Sequence, residues 1–484
     1  MSEDKKFRPK ARIPRGFRDR GPDEIAAERR MLDVIRGVFE SYGFDALETP
    51  SFEYADALGK FLPDQDRPNE GVFSLADDDK QWLALRYDLT APLARYVAEN
   101  FQDLPKLFRR YQVGTVWRNE KPGPGRYREF TQFDADTVGS APPAADAELI
   151  MMTCDALEKL GLKRGEYVIK VNDRRLLDGV LEVAKVDQLK RGTVLRAIDK
   201  LDRLGQPSVR ALLGKGRKDD SGDFTQGANL TADQIELVMA FVIPNMAEAK
   251  TDVITELRWA VQPSSTGQNA IAALSTIMST LEKCGYDDAC VQIDSSVVRG
   301  LDYYTSTVFE AQLTFPTKNE VGEAVVMSSV AGGGRYDDLV ARFIGQKVPA
   351  VGVSIGVSRL LSALKGKGQA STSPLVVVLA LDDLESSFKM ASELRNAGIR
   401  AEAYVGTKKF GDQLKYADKR GAAIAVIEGS DERAKGEVTL KDLALGAELA
   451  KSVESRAAWV KNRPAQITVK RKDLVAELRK LLGR

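Results

Sequence analysis

The sequence contains no histidine. That count alone removes Ser-His-Asp and Cys-His catalysis, His-ligated zinc chemistry and histidine proton switching. Any chemistry must run on arginine, lysine, carboxylates, tyrosine or a metal held by oxygen. Cys154, Cys284 and Cys290 contain no Cys-x-x-Cys pair, which argues against a disulfide framework and against a thiolate metal site. Neither G-x-x-x-x-G-K-[ST] nor a strand-linked G-x-G-x-x-G occurs, so a nucleotide would have to be held by other means.

Four clusters remain that could do chemistry. Trp117-Arg118-Asn119-Glu120 and Arg126-Tyr127-Arg128-Glu129-Phe130 flank the tip Lys121-Pro122-Gly123-Pro124-Gly125. Guanidinium forks on both arms of such a hairpin suit phosphate oxygens, although a cross-strand salt-bridge ladder would use the same residues. Val298-Arg299-Gly300-Leu301-Asp302-Tyr303-Tyr304-Thr305 puts a cation, a carboxylate and two phenols at the mouth of a strand. Ala331-Gly332-Gly333-Gly334-Arg335-Tyr336-Asp337 lets the backbone approach something closely; the plainer alternatives are core tyrosines and a glycine bulge or turn. Val351-Gly352-Val353-Ser354-Ile355-Gly356-Val357-Ser358-Arg359-Leu360 reads as a strand feeding a helix that begins with arginine.

The elements that must position these residues follow from periodicity. A chain of 484 residues implies about three domains. Lysine and arginine number 71 against 70 aspartates and glutamates, so bulk charge points to no nucleic-acid or membrane partner, and local patches must serve any. The spacing predicts a helix over 22–42, opened by Pro22 and closed by Gly43, and then an extended segment to Pro50. Residues 113–118 and 127–138 read as the arms of a long antiparallel hairpin. Residues 187–264 carry helical periodicity, with Thr231 and Gln234 forming a capping box. Strand signals return at 289–294, 305–313 and 323–331, and a helix is expected over 359–364. After a Gly/Ser/Lys linker, strands at 375–381, 399–405 and 422–427 alternate with helices at 385–396 and 411–419, the pattern of a small α/β domain. The longest apolar run, Leu375 to Leu381, is far below the ~20 residues of a membrane span, and the charged N-terminus does not read as a secretory signal.

In their joint order these segments resemble the histidyl-tRNA synthetase family of class II aminoacyl-tRNA synthetases, across nearly the whole chain. Gly43 to Pro50 is similar to class II motif 1, Val113 to Val138 to motif 2 and Ala350 to Leu360 to motif 3. Arg299 to Tyr304 and Gly333 to Asp337 are similar to the histidine-specific signatures, and 414–422 to the anticodon-binding domain. The resemblance implies an α+β fold: a class II antiparallel-sheet catalytic domain with a helical insertion, plus a C-terminal mixed α/β anticodon-binding domain. The boundaries read as a basic tail at 1–20, catalytic parts at 21–186 and 265–364, the insertion at 187–264, a linker at 365–374, and the C-terminal domain with a basic tail at 375–484.

The implied activity is ATP-dependent attachment of L-histidine to tRNA(His) through a histidyl-adenylate, by a cytoplasmic homodimer without membrane contact. Mg²⁺ would accompany ATP, with no dedicated protein metal site. By the same resemblance Arg118, Arg299 and Arg359 are the catalytic cations, and Arg118, Glu120, Arg126, Phe130 and Arg359 bind ATP. Asp88, Thr90, Gln132, Asp136, Arg299, Tyr303, Tyr304 and Tyr336 bind histidine, while Lys121, Gly123, Lys415, Lys419 and Arg420 meet tRNA. The chain departs from the family pattern in four places: Asp136 stands where glutamate is usual, Asn119 and Thr131 where bacterial members often have histidine, and Ser358 where glutamate often precedes the motif 3 arginine. The competing reading is a non-catalytic paralogue that senses histidine as a regulatory subunit of its biosynthesis.

Overall fold

The computed structural model describes residues 9–58, 71–123, 127–198, 200–218, 222–242, 253–297, 304–318, 324–325, 329–364, 373–450 and 465–483. The chain divides into two compact units, Met1–Gln369 and Ala370–Arg484.

The first unit is organised by an eight-stranded sheet. Its strands run, edge to edge, Asp45–Ala46, Phe108–Trp117, Glu129–Val138, Ala350–Gly356, Ala331–Arg335, Thr307–Leu313, Tyr167–Asp173 and Val291–Ile293. The six inner strands pair antiparallel, and each short edge strand pairs parallel with its neighbour. Phe108–Trp117 and Glu129–Val138 are the arms of the hairpin expected from the sequence, longer by some residues on the first arm because Arg109 to Gln112 also alternate into the ladder.

Helices cover the sheet. Pro22–Ser41 starts with proline and two acidic residues in its first turn, buries Met31, Ile35, Val38 and Phe39, and is followed by Gly43 at φ +79°. Ala144–Lys159 and Ser265–Lys283 pack on the same core, which contains Phe39, Phe133, Tyr167, Leu281 and Ile355. The span read as helical insertion holds the helices Gln188–Ile198, Leu201–Leu213, Ala232–Val242 and Val253–Ala260, and Val194, Val209 and Val238 bury into that same core. The capping box forms: the Thr231 N–H donates to Gln234 Oε1 at 3.0 Å and the Gln234 N–H to Thr231 Oγ1 at 3.3 Å.

The segment expected as one strand over 323–331 differs. The strand of the large sheet is Ala331–Arg335, so Gly332 to Gly334 lie inside the ladder and form no turn. Crowding explains the glycines. A Cβ on Gly333 would meet the Gly352 carbonyl oxygen at 2.3 Å, and one on Gly334 would meet the Tyr304 ring at 2.9 Å.

The second unit is a five-stranded sheet in the order Ala401–Ala403, Val376–Val378, Ile424–Ile427, Glu437–Asp442, Gln466–Lys470. The first three strands pair parallel and the last two antiparallel. Val376 to Val378 are fully buried, as a central parallel strand requires. The C-terminal stretch read as a basic tail is, from Ala465 to Gly483, an edge strand and the helix Leu474–Leu481, whose Leu474 and Leu478 are buried in the unit's core. Among the described residues no helix is long and apolar enough to cross a membrane.

Candidate active site

Strand alternation builds a buried polar face in the middle of the large sheet. Along Glu129–Val138, Phe133 and Ala135 turn into the hydrophobic core, which leaves Gln132, Asp134 and Asp136 together on the other face. The register sets Arg110 opposite Asp136 and Gly114 opposite Gln132 on one side. On the other side Gly352, Ser354 and Gly356 occupy the levels of Asp136, Asp134 and Gln132. Both faces of this strand are buried, and a polar side that is nonetheless closed off marks a site.

Asp136 is gripped from two directions. The Tyr336 hydroxyl donates to its Oδ1 at 2.5 Å, and Arg110 Nη2 lies 2.9 Å from its Oδ2. Burial raises the Asp136 carboxyl above its ordinary pKa, while the Arg110 charge and the Tyr336 hydroxyl oppose that rise. Burial, with Asp136 beside it, pushes the Tyr336 phenol well up. Room for this pair comes from Gly352, where a Cβ would fall 1.9 Å from Asp136 Oδ1. Asp134 sits between Asp136 and Gln132; burial, and then the charge of Asp136, push it up to about 8. The Gln132 amide donates to Ser354 Oγ at 2.7 Å.

Asp88 and Thr90 stand at the start of the helix Thr90–Glu99. Asp88 Oδ1 accepts from the Ala91 N–H at 3.0 Å, and burial pushes this carboxyl up to about 6, with the nearby Arg118 charge pulling down. Arg118 donates through Nε to the Tyr87 carbonyl at 3.2 Å, and its guanidinium lies 5.2 Å from the centre of the Phe130 ring. Three buried acceptors of this region have no hydrogen-bond partner among the described residues, Asp88 Oδ2, Gln132 Oε1 and Asp134 Oδ1, while Asp136 Oδ2 is held by the Arg110 ion pair.

The remaining candidates are placed as follows. Arg359 opens the helix Val357–Leu364 and donates to the Ser329 carbonyl at 2.8 Å. Ser358 Oγ accepts from the Thr131 N–H at 3.2 Å, which pins that helix start to the polar strand. The Tyr304 ring rests against Gly334, and its carbonyl accepts from Arg174 at 3.1 Å. Glu120, Lys121 and Gly123 are exposed at the hairpin end. In the second unit Lys415 and Lys419 are exposed on the helix Phe410–Lys419, whereas Arg420 pairs with Glu402 at 3.0 Å. Arg126, Arg299 and Tyr303 lie outside the described residues.

The family model for histidyl-tRNA synthetase matches residues 16–360, and that for the anticodon binding domain matches 375–481. The chain belongs to the histidyl-tRNA synthetase family. It is 55% identical to the histidine–tRNA ligase of Rhizobium meliloti over 98% of this chain and 96% of that one. Identity to the enzyme of the same name from Brucella ovis is 54%, over 99% and 97% of the two chains. A histidyl-tRNA synthetase from Nostoc, known from a crystal structure, superposes with a TM-score of 0.71 at 29% identity, covering 98% of this chain and all of its own. The fold is accordingly that of a class II synthetase with a separate anticodon-binding domain, and ATP is a substrate of the reaction.

Within this histidyl-tRNA synthetase fold, Arg110 and Asp134 join the polar face without having been site candidates in the sequence, and Arg86 supports it. Arg86 is buried and donates to the Thr115 carbonyl at 2.9 Å and the Thr49 carbonyl at 2.7 Å, tying the motif 1 segment to the hairpin. The i, i+2, i+4 spacing of Gln132, Asp134 and Asp136 was the available signal for Asp134. Arg110 had a weaker one: it becomes visible only when the hairpin register sets it opposite Asp136.

Proposed function

We propose that the chain activates L-histidine with ATP to histidyl-adenylate and then transfers it to tRNA(His), using the polar face described above as the amino-acid pocket. The observation that carries this reading is the set of three buried acceptors without donors among the described residues, Asp88 Oδ2, Gln132 Oε1 and Asp134 Oδ1, beside the Asp136 carboxylate and Arg118. A ligand for such a wall must bring several N–H donors and positive charge, as the ammonium and imidazole of histidine do. Asp88, Thr90 and Gln132 take the α-amino and carboxylate ends, while Asp136, Tyr304 and Tyr336 read the imidazole.

Attack of the histidine carboxylate on the α-phosphate needs in-line positioning and charge stabilisation, with no protein nucleophile. Arg118 and Arg299 hold the transferring phosphate, Phe130 stacks on adenine, Glu120 accepts from its amino group, and Arg359 meets the far phosphates with Arg126. Mg²⁺ enters with the ATP phosphates as part of the substrate. Lys121 and Gly123 meet the acceptor end, and Lys415, Lys419 and Arg420 the anticodon side. The working form is a homodimer joined through the motif 1 segment, whose strand Asp45–Ala46 is an edge of the large sheet, and it acts in the cytoplasm, where tRNA is charged.

The test is histidine-dependent ATP–pyrophosphate exchange followed by charging of tRNA(His). Exchange and charging together support the assignment. Histidine binding without exchange would overturn it in favour of a regulatory histidine sensor.

A further inference from the structure

Among the described residues the largest side chain that is completely buried is Arg110, and it belongs to no role assigned above. Its Nη2 lies 2.9 Å from Asp136 Oδ2 and donates to the Leu89 carbonyl at 2.8 Å. Leu89 is the residue between Asp88 and Thr90. One guanidinium group therefore bridges two walls of the pocket: the helix start that carries the α-amino readers, and the strand that carries the imidazole reader. A guanidinium with no access to water is retained at large desolvation cost, so an apolar side chain would serve better if packing were its only task.

We propose that Arg110 is the positioning residue for histidine recognition, fixing the Asp136 carboxylate as an ionised acceptor and holding it in register with the Asp88-Leu89-Thr90 turn. The proposal rests on the amino-acid pocket assigned above. The groups facing Asp136 are Arg110 from the neighbouring hairpin arm, Tyr336 from the end of the Ala331–Arg335 strand, and Asp134 on its own strand, with Asp88 on the helix start close enough to feel its charge. Of these, only Arg110 is a cation. Removing it leaves Asp136 with burial and two acidic neighbours, so Asp136 takes up a proton at higher pH and stops accepting from the imidazole. The cation acts through Asp136 and touches no substrate atom.

The test uses the full-length enzyme in pyrophosphate exchange, with KM for histidine and for ATP measured from pH 5.5 to 8.5. Wild type without histidine-dependent exchange would refute the pocket assignment itself, separately from this proposal. With Arg110→Met, which keeps most of the volume, KM for histidine should rise ~100-fold or more at pH 7 while KM for ATP moves less than ~3-fold. Its acid limb for histidine should also move to higher pH than in wild type, because Asp136 loses the cation that favours its charged form. Arg110→Lys keeps the charge but cannot span both partners; it should raise KM for histidine ~10-fold with the acid limb nearly in place. If the Met variant does not fold, the Lys variant decides: a wild-type KM for histidine there would overturn the proposal. Equal loss in both variants with unshifted limbs would overturn it as well, since that is the signature of a purely structural arginine. In an Asp136→Asn background, Arg110→Lys should add less than ~3-fold, and a full additive loss there would count against the coupling.

Discussion

The sharpest test of the pocket geometry is Gly352→Ala, a change that adds one methyl to a residue with no functional group. A Cβ at this position would stand 1.9 Å from Asp136 Oδ1, 2.8 Å from Asp136 Cγ and 3.2 Å from Tyr336 Cε1. The closest of these contacts is impossible, so the carboxylate must turn away. Oδ1 is the oxygen that accepts from the Tyr336 hydroxyl, and that bond is lost first. A hydrogen bond to a charged group contributes ~1.5–3 kcal/mol, which at 1.36 kcal/mol per decade is ~10- to 150-fold in affinity. Overpacking adds ~1–3 kcal/mol of destabilisation to the fold, and the melting temperature reports that part separately. The assay is pyrophosphate exchange with histidine and ATP varied in turn. KM for histidine should rise by the range above, and KM for ATP should change little because Arg118 and Phe130 lie on the far part of the hairpin. A folded Gly352→Ala enzyme with wild-type KM for histidine would refute the placement of Asp136 as imidazole reader.

Arg299→Ala should nearly abolish exchange, by ~10² or more, with little change in histidine binding; near-normal exchange would remove Arg299 from the transferring phosphate. Asp136→Asn should raise KM for histidine more than KM for ATP, because the amide keeps an oxygen and loses the charge; the opposite ordering in exchange kinetics would sink the assignment. Asp134 titrates at about 8 in the folded protein against an ordinary 3.8, so the native state binds more protons than the unfolded one between those values and its contribution to stability is lost as pH rises through that window. Asp134→Asn should therefore flatten the fall in melting temperature from pH 5 to 8.5, and an equally steep fall would refute the assignment. Truncation before Lys461 removes the strand Gln466–Lys470 and the buried Leu474 and Leu478, so the second unit should lose its cooperative unfolding transition; a retained transition in calorimetry would show that the segment is dispensable.

Much of the architecture was legible because period and punctuation agreed. Pro22 and Gly43 bracket a helix whose apolar stripe recurs every three or four residues, and the structure ends it within a residue of the expected place. The run of valines at 376–378 read as a buried parallel strand for the same reason. The glycine segment 332–334 was harder: local chemistry favours a turn, and only the facing Gly352 backbone and the Tyr304 ring explain why it is a strand. The C-terminal segment misled through charge. Lys470 and Arg471 pair with Glu437 at 2.9 Å and Glu393 at 2.7 Å, partners far away in sequence, while Leu474 and Leu478 four residues apart carry the packing. Candidate site residues within named motifs could be proposed one by one. Arg110 could not, since a buried cation is identified by what stands opposite it across a ladder, and that register is a tertiary fact.

The proposed pocket also gives a physical account of how a chain without histidine can select histidine. The proposed pocket wall is rich in acceptors, three carboxylates and a glutamine oxygen, with three of those atoms buried and without a donor among the described residues. A pocket of this kind discriminates less by attraction than by what a wrong ligand leaves unpaired. An apolar amino acid of similar size brings its ammonium group but no side-chain N–H, so the acceptors around Asp136 stay desolvated and unmatched. At ~1–3 kcal/mol for each orphaned group, two such losses amount to ~30-fold at the low end and ~10⁴-fold at the high end. The same logic sets the charge state of the wall. With Asp134 near 8 and Asp88 near 6, the buried carboxyls at neutral pH are only partly ionised, which limits their mutual repulsion, and the Arg110 cation beside Asp136 favours keeping the charge on the imidazole reader. Histidine in the protein's own chain would add a competing donor and a second titration in this pH range. Arginine also donates but adds no titration in this range, and it supplies the positive charge that both the carboxylate wall and the phosphate of an adenylate require.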